Sequence, residues 1–490
     1  MERKWWTLLA VCVAMFMLLL DITIVNVALP EIQRDLGASF SDLQWVVDAY
    51  SLSLAGLLLA AGSLGDRLGR RLIFVSGFVI FTVASLLCGL AGSPDFLNAM
   101  RVVQGVGGAA MFATTLSLIA QEFQGPERAT AFGIWGATVG GAVAIGPLVG
   151  GALTDAFGWE WIFFVNVPIG IAAIALTLNK VSESKMPDAE PVDWPGVVLF
   201  SSALFLLVFA LVRGNAEGWS SFQITGSLVG AAVLLLAFLA VEHRSDHPML
   251  ELGLFRKPAF VGVSIVAFAL SSSMFAMFLY LTIYIQDILG YEPLAAGVRF
   301  LPLTIVAFVA APIAGQLLNR IQPRIFFGAG LTLVGVGLLL MGGLSADSEW
   351  TALLAGFIVA GAGIGMTNPA IAAVAVGVVP PQKAGMGSGI NNTFRQVGIA
   401  TGIAGLGAIF QSGIESRLVD AGVPHSSELG EAVASTGTRA AESSGAPLDV
   451  VRDAFLGSLN ELFVIAGVVA LVGAALGLAL TRDRDISHQY

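Results

Sequence analysis

The sequence has few charged residues, cysteines and histidines, and each shortage excludes a class of protein. Only 12% of its 490 residues are charged, too few to keep a folded domain of this length soluble. Both cysteines lie in apolar stretches, so a disulfide framework is not indicated. The four histidines lie outside the apolar runs, and no Gly-x-x-x-x-Gly-Lys stretch provides a phosphate-binding loop for ATP. We therefore expect no enzyme chemistry, no metal site and no cofactor.

Apolar residues dominate what remains, and they occur in long runs. Hydrophobic residues make up 56% of the chain, the mean hydropathy is +0.84, and the 58 glycines are typical of helices that pack closely in lipid. About 20 apolar residues in a helix cross a bilayer core of roughly 30 Å. The sequence therefore predicts an all-α polytopic membrane protein with 14 transmembrane helices, near residues 5–29, 43–61, 72–92, 96–120, 129–153, 161–179, 194–212, 222–241, 259–285, 294–315, 325–344, 351–378, 389–410 and 455–480.

Lysine and arginine predict the orientation of these spans. The first run has no small-residue cleavage site, so we interpret it as a retained span and not as a signal peptide. With a cytoplasmic amino terminus, sixteen basic residues fall on the inner side and five on the outer side. Both termini are therefore predicted to be cytoplasmic. The acidic outer loop, 411–454, is predicted to hold short helices, for instance near Ser427–Ala434, or to stay mobile, and it does not suit a nucleic-acid partner.

Two stretches recur in the same order, which indicates an internal duplication. The stretch "GSLGDRLGRR" (62–71) matches "GQLLNRIQPR" (315–324) at an offset of 253, and residues 105–134 match residues 361–390 at an offset of 256. Spans 1–6 then correspond to spans 9–14, with spans 7 and 8 inserted between them. Chance likeness between glycine-rich helices is the alternative. The predicted domains are a six-helix bundle at 1–180, a two-helix insert with its loops at 181–258, a six-helix bundle at 259–480 and a cytoplasmic tail at 481–490.

Asp21 and Arg101 are charged residues inside apolar spans, at similar predicted depths. Asp21 lies about two-thirds along the first span, and Arg101 lies five or six residues into the fourth, which enters from outside. A buried guanidinium stays protonated and needs an acceptor, so we expect the two side chains to pair. Intramembrane carboxylates often mark proton pathways, which makes the pair a candidate for proton coupling. The alternative is a permanent ion pair that only holds the two spans together.

Other polar residues also lie inside the predicted spans. Asp48 is near the outer end of the second span and reaches towards headgroup water. Asn391, Asn392 and Arg395 follow one another at helical spacing and line one face of the thirteenth span. Cavity lining and hydrogen bonding between helices are both open for them. The tenth span contains Arg299 and no acidic residue, so neutral, zwitterionic and anionic substrates stay open beside cationic ones.

Two glycine-rich segments can each be interpreted as functional or as purely structural. In "GDRLGRR", Gly65 and Gly69 allow a tight turn, Asp66 can cap a helix amino terminus, and three arginines face the cytoplasm. The alternative is that these residues only determine the orientation of the chain in the membrane and cap a turn. In "GGAVAIGPLVGG" (140–151), small residues around a proline allow a helix to kink and to slide against a neighbour. Generic close packing is the alternative.

Five motifs follow one another along the chain: "LDITIVNVALP" in the first span, "GSLGDRLGRRLI" between spans 2 and 3, "RVVQGVGGA" in the fourth span, "AIGPLVGG" in the fifth and "NTFRQVG" in the thirteenth. Through these motifs the chain resembles the major facilitator superfamily, and within it the fourteen-helix drug–proton antiporter family. The resemblance extends over about the whole chain, with Ala142 in place of a glycine at the start of the fifth-span motif.

The resemblance implies roles for residues at the motif positions. It implies that Asp21 and Arg101 belong to the proton-coupling machinery. The residues expected to latch the cytoplasmic gate are Gly62, Asp66, Arg67, Gly69, Arg70 and Arg71. The residues expected to shape the rocking interface are Gly146, Pro147, Gly150 and Gly151. The residues that we assign to a substrate cavity are Asn26, Asp48, Gln104, Asn391, Asn392 and Arg395.

These observations predict a secondary active transporter of the cell membrane, driven by a proton gradient. It would export small amphiphilic compounds, such as drugs, antibiotics or metabolites, by alternating access. The expected partners are protons, a small-molecule substrate and the lipid bilayer, and we expect a monomer. A proton-coupled importer or lipid-moving protein on the same fold is the main alternative, and a non-transporting membrane sensor is a further one.

Overall fold

The computed structural model describes most of the chain, and all regular secondary structure in the described part is helical. This confirms the expected all-α class. The predicted tail beyond Thr481 and the segment 185–192 of the predicted insert lie outside the described residues. The structure describes residues 2–38, 40–184, 193–245, 248, 250–318, 320–380, 383–437 and 446–481.

The first six predicted spans form long helices that pack on one another. Ser93 caps the fourth by accepting a hydrogen bond from the backbone N–H of Phe96, and Pro94 occupies the first turn. The sixth span is divided where Pro168 has no N–H to donate to Phe164. The helices of this half are α1 (Arg3–Leu36), α2 (Phe40–Leu68), α3 (Arg70–Gly89), α4 (Pro94–Glu122), α5 (Pro126–Phe157), α6 (Trp161–Phe164) and α7 (Asn166–Lys180).

The insert and the second half follow in the predicted order. The insert packs against the first half through α2 and against the second half through the long helix that carries Arg395. The helices of the insert are α8 (Trp194–Glu217) and α9 (Phe222–Arg244). Those of the second half are α10 (Pro258–Leu270), α11 (Ala276–Ile283), α12 (Pro293–Arg299), α13 (Leu301–Leu317), α14 (Pro323–Leu340), α15 (Leu354–Gly377), α16 (Ala384–Asp420), α17 (Ser426–Thr436) and α18 (Leu448–Leu480).

Within the described residues, twelve segments are long and apolar enough to span a membrane. The two other predicted spans, the fifth and the tenth, contribute shorter apolar helices at Thr130–Val139, Leu148–Phe157 and Leu301–Leu317. The polytopic character is therefore established, whereas the count of fourteen spans stays a prediction.

The predicted outer loop is shorter and more helical than expected. Helix α16 continues to Asp420, ten residues beyond the predicted end, and α18 begins at Leu448 instead of near 455. Helix α17 (Ser426–Thr436) occupies the position where a short helix was expected. Polar residues end an apolar run but do not end a helix, so a hydropathy boundary underestimates helix length. Residues 438–445 lie outside the described part.

A close glycine contact recurs in both halves at the two offsets of the repeat. A Cβ added to Gly107 would lie 2.8 Å from the carbonyl oxygen of Gly77, where α4 crosses α3. In the second half, a Cβ added to Gly363 of α15 would meet the carbonyl oxygen of Gly330 of α14 in the same way. Residues 77 and 330 differ by 253, and residues 107 and 363 by 256. The equivalent contacts support duplication of one helical unit.

Candidate functional site

Asp21 of α1 and Arg101 of α4 form an ion pair in the interior of the first half. The Arg101 Nη1 donates to Asp21 Oδ2 at 2.5 Å, and each residue is only 1% exposed. The pairing expected from their predicted depths is present in the structure. Since both charges are withdrawn from lipid and water, each depends on the other for compensation.

Gln104 and two neighbours complete a polar cluster around this ion pair. The Gln104 Nε2 donates to Asp21 Oδ1 and to Ser85 Oγ, both at 2.8 Å, and its Oε1 accepts from Arg101 Nη1 at 2.7 Å. The Arg101 Nε donates to the carbonyl oxygen of Val46 at 2.8 Å. The cluster therefore joins α1, α2, α3 and α4. Gln104, which was assigned to a substrate cavity, is fully buried and uses its amide within this cluster.

Tyr50 packs directly against the ion pair, and sequence reasoning missed it. The Arg101 guanidinium lies 4.4 Å from the centroid of the Tyr50 ring, within cation–π range. Among the described atoms, the Tyr50 hydroxyl is buried without a hydrogen-bond partner. The sequence did contain a signal for Tyr50, because it is a tyrosine inside an apolar span, two residues after Asp48. The hydroxyl of a buried tyrosine usually needs a hydrogen-bond partner, so such a residue is a candidate for a polar site.

Asp48, also assigned to the substrate cavity, is held by the two-helix insert. Its Oδ2 lies 3.8 Å from Nη1 of Arg213, whose guanidinium packs 5.4 Å from the ring centroid of Trp45. The sequence placed Arg213 in an outer loop, but α8 continues to Glu217 and buries this arginine. The structure therefore assigns Asp48 an arginine partner that the sequence analysis had left outside the membrane.

Asp66 connects the two halves at the predicted cytoplasmic side. Its carboxylate accepts hydrogen bonds from the backbone N–H groups of Gly385 at 3.0 Å and Met386 at 2.9 Å, in the first turn of α16. It also accepts from Nε and Nη2 of Arg70, at 3.0 and 2.8 Å. Asp66 does cap a helix amino terminus, as expected, but that helix belongs to the other half of the protein. The carboxylate complements the positive end of the α16 dipole.

Two glycines of the same motif permit close approaches at this side. A Cβ added to Gly62 would meet the backbone carbonyl of Gly385. Gly69 has a φ of 125°, in the left-handed region, and its added Cβ would lie 2.7 Å from a carboxylate oxygen of Glu183. The two halves are therefore in contact at the predicted cytoplasmic side in this structure.

The remaining arginines of the motif hold neighbouring segments of the chain. The Arg67 Nη2 donates to the carbonyl oxygen of Pro248 at 3.1 Å. The Arg71 Nη1 donates to the carbonyl oxygen of Val181 at 3.2 Å, and its backbone N–H donates to Glu183. These bonds fasten the loops that flank the insert to the end of α2 and to the start of α3.

Helix α16 carries a polar face towards the interior. Ser388, Asn391, Asn392 and Arg395 repeat at helical spacing and are all at least nine-tenths buried. The Asn392 Nδ2 donates to the carbonyl oxygen of Phe112 at 3.4 Å, so this face meets α4 of the first half. Both side-chain polar atoms of Asn391 and the hydroxyl of Ser388 have no partner among the described atoms. The face has the polar groups that a substrate cavity requires.

Comparison with known proteins identifies the family of this chain. The sequence profile described as Major Facilitator Superfamily matches residues 11–403. The chain belongs to this superfamily. Its predicted membership is thereby confirmed, and the chain is a multi-pass membrane protein of a transporter family, not an enzyme.

Named relatives cover most of the chain. The tetracenomycin C resistance and export protein of Streptomyces glaucescens is 35% identical over 97% of this chain and 91% of its own length. The multidrug resistance protein Stp of Mycobacterium tuberculosis is 37% identical over 84% of this chain and 77% of its own length. The methylenomycin A resistance protein of Streptomyces coelicolor is 34% identical over 82% and 85%, respectively.

Solved structures share the fold of this superfamily member. The human organic anion transporter MFSD10 superposes with a TM-score of 0.62 at 12% identity, over 96% of this chain and 100% of that one. A bacterial homologue of the human lysosomal transporter Spinster superposes with a TM-score of 0.60 at 18% identity, over 100% and 99%. At such identities the likeness establishes the fold alone.

The glycines of the fifth-span motif make their contacts inside the first half. A Cβ added to Gly146 would meet the Thr23 side chain, and one added to Gly150 would lie 2.8 Å from Ile24 Cγ1, so both pack against α1. A Cβ added to Gly151 would have no described atom within 4 Å. The structure thus places the close contacts of the motif between α5 and α1. A part in rocking motion stays a prediction.

Helix α5 approaches the second half through other glycines. A Cβ added to Gly133 would lie 2.8 Å from the carbonyl oxygen of Ala311 in α13, and one added to Gly136 would lie within 3.6 Å of α15. The side chains of Pro147 and Asn26, which the resemblance had marked, lie outside the described part of the structure.

A separate apolar cavity of about 700 Å³ lies between the insert and the helices that it packs on. Its walls come from α2, α8, α9 and α16, and residues such as Leu59, Phe200 and Phe238 line it. Thr393 is the polar side chain in the lining. Hydrocarbon suits this cavity, whereas the groups that could orient a polar ligand lie on the polar face of α16.

Proposed function

We propose that the protein is a proton-coupled antiporter that exports small amphiphilic compounds across the cell membrane, with both termini in the cytoplasm. The names of its relatives support the export of compounds such as tetracenomycin C and resistance to methylenomycin A. The superfamily membership supports transport by alternating access of two halves around a central site.

The buried cluster of Asp21, Arg101 and Gln104 is the observation that supports coupling of transport to protons. A proton on Asp21 removes the counter-charge of Arg101, whose guanidinium stays protonated. An unpaired buried guanidinium is strongly unfavourable, so protonation favours a rearrangement of Arg101 towards other acceptors. Because Arg101 also bonds Val46 of α2, such a rearrangement acts on α2 as well.

Helix α2 links this cluster to the cytoplasmic contact between the halves. Val46 and Asp66 are twenty residues apart on one continuous helix, about 30 Å at 1.5 Å per residue. A shift of the outer part of α2 therefore reaches the carboxylate that caps α16. The closed cytoplasmic side would accompany one protonation state of Asp21, and its opening would accompany the other.

The proposed cycle uses competition between proton and substrate. Protonation of Asp21 from the outer side releases the substrate outwards, and loss of that proton to the cytoplasm resets the site. Proton and substrate must then weaken each other's binding by the same factor, since coupling between two equilibria is reciprocal.

A vesicle assay tests this proposal. The purified protein is reconstituted with an imposed pH gradient, and proton movement is recorded with a pH-sensitive dye after addition of tetracenomycin C or methylenomycin A, within a broader set of amphiphiles. We expect compound-dependent proton flux in the wild type and none in Asp21→Asn. Asp35→Asn, the same change near the exposed end of α1, is the matched control and should keep the flux.

The direction of flux decides between export and its main alternative. Movement of compound against movement of protons supports antiport, whereas movement of both in one direction indicates a proton-coupled importer. Equal coupling in the wild type and Asp21→Asn would refute the assigned role of Asp21.

A further inference from the structure

Arg395 differs from the other deeply buried arginines of the membrane interior. Arg101 pairs with Asp21, and Arg213 pairs with Asp48. Arg395 is 7% exposed, and among the described residues no carboxylate lies within 4.0 Å of it. A guanidinium keeps its charge, so Arg395 is a cation that has no counter-ion among the described residues.

The described groups that contact Arg395 are neutral. Its Nη1 donates to Oδ1 of Asn368 at 3.1 Å, and its guanidinium lies 5.7 Å from the ring centroid of Phe275. An amide oxygen and an aromatic face stabilise a cation only partly. Since a guanidinium presents five N–H donors in a planar fork that fits a carboxylate, most of its hydrogen-bonding capacity stays available.

Unpaired polar groups lie beside this arginine. Asn391, one turn before it on the same face of α16, is 3% exposed and has no partner for either side-chain polar atom among the described atoms. Ser271 is 1% exposed with an unpaired hydroxyl, and a Cβ added to Gly398 would lie 3.0 Å from its Cβ. Gly398 is one turn after Arg395, so the serine faces the same stretch of α16.

The local backbone of the serine is also unusual. Residues Ser271–Phe275 form a π-helical segment between α10 and α11. Such segments are rare and frequently occur at functional sites. This one carries both Ser271 and Phe275 to the side of α16 that bears Arg395.

We propose that Arg395, together with Asn391 and Ser271, forms a subsite that binds an anionic group of the exported compound, such as a carboxylate or an ionised enol. The inference rests on the proposed export function and names its substrate class. The subsite lies where α16 packs on α15 and on the π-helical segment of the second half, next to Asn392, which contacts α4 of the first half. The anion provides the counter-charge that Arg395 lacks and accepts hydrogen bonds from the neighbouring amide and hydroxyl groups.

Matched pairs of ligands test the subsite without a pH gradient. The probes are 2-naphthoic, 9-anthracenecarboxylic and 1-pyrenecarboxylic acids, each compared with its own primary carboxamide, and binding to the purified protein in detergent is measured by calorimetry. Each pair has nearly the same shape and differs in charge. We expect the wild type to bind at least one acid about tenfold or more tightly than its amide, because a charged hydrogen bond in a buried site discriminates at this level.

Variants assign the preference to Arg395. Arg395→Gln should remove the preference for the acid, and Arg395→Lys, which keeps the charge but not the planar fork, should retain part of it. Arg417→Gln is the matched control, since Arg417 lies on the same helix but is partly exposed and paired with Glu461. It should bind as the wild type does.

The outcomes separate this proposal from that of proton coupling. No tenfold preference in any wild-type pair, or a preference that survives in Arg395→Gln, would overturn the anionic subsite, and the first result needs no variant to fold. Asp21→Asn should keep the acid preference in this assay even though it loses coupled flux in vesicles. A protein that binds acids but moves no protons would refute the proposed antiport alone.

Discussion

Replacing Asp66 by asparagine should open the predicted cytoplasmic side of the protein. The Asp66 carboxylate uses both oxygens to accept from Gly385 and Met386 across the interface between the halves. Asparagine has the same shape but one acceptor oxygen. Its amide group would direct N–H bonds at a backbone N–H, and the negative charge at the amino end of α16 would be lost.

The size of the effect follows from the bonds that cross the interface. Hydrogen bonds to charged groups contribute about 1.5–3 kcal/mol each, and a charge at a helix end contributes about 0.3–1 kcal/mol. The bonds between Asp66 and Arg70 lie within one half, so their change largely cancels between the open and closed states. We expect the closed state to lose about 2–4 kcal/mol, which corresponds to a shift of roughly 30-fold to several hundredfold in the ratio of the two states.

Distance measurements between spin labels provide the assay. Cysteines introduced at Leu72 of α3 and Ile325 of α14 are exposed, lie in the first turns of corresponding helices in the two halves and accept a label. Double electron–electron resonance should show a longer distance in Asp66→Asn than in the wild type. Asp155→Asn removes a carboxylate at the opposite, exposed end of the first half and should leave the distance unchanged.

An unchanged distance distribution in Asp66→Asn would refute this reasoning. It would mean that the backbone of α16 stays against α2 without the carboxylate, and that packing between the helices alone determines the closed state. A longer distance in both variants would also contradict it, since the effect would then follow net charge and not the particular bonds of Asp66.

Three further changes have defined outcomes. Gly62→Ala places a methyl group against the α16 backbone and should increase the same label distance, whereas Gly141→Ala, with open space around its Cβ, should not. Arg101→Gln leaves Asp21 buried without its cation and should reduce unfolding stability by about 3–5 kcal/mol, measured by thermal unfolding in detergent. Adding Asp21→Asn to that variant should restore most of the loss. Gly105→Ala puts a carbon 2.5 Å from a carbonyl oxygen of α2, so its unfolding temperature should fall, unlike that of Gly141→Ala.

The sequence predicts the Asp21–Arg101 pair because few charges occur inside the apolar runs. Depth in a span can be estimated from position along the run, and an isolated buried charge is too unfavourable to be left alone. Two opposite charges at the same depth therefore had to meet. The part played by Gln104 was harder to predict, because a neutral amide has many permitted environments and its partner depends on helix rotation.

Contacts between the halves join residues that are far apart in the sequence, so no local sequence pattern predicts them. The motif around Asp66 predicts a capping carboxylate, but the capped helix begins more than 300 residues later. Arg213 was assigned to a loop because polar residues end the apolar run, although the helix continues past it. The predicted span ended at residue 212 and the helix ends at Glu217, and this difference was enough to move the arginine from an outer loop to the partner of Asp48.

Two buried arginines, Arg101 and Arg395, have no charged counterpart at the equivalent position of the other half. At the offset of 256, Arg101 corresponds to Phe357, which is fully buried and packs 5.5 Å from the ring of Phe300, so an aromatic contact fills the place of the charge. Arg395 corresponds in the same register to Val139, which is also buried. Equivalent positions in the other half thus fold with apolar side chains, and neither arginine is required by the shared scaffold. Since a buried charge destabilises a scaffold that does not need it, both arginines agree with the two proposals above, in which Arg101 responds to protonation of Asp21 and Arg395 binds an anion.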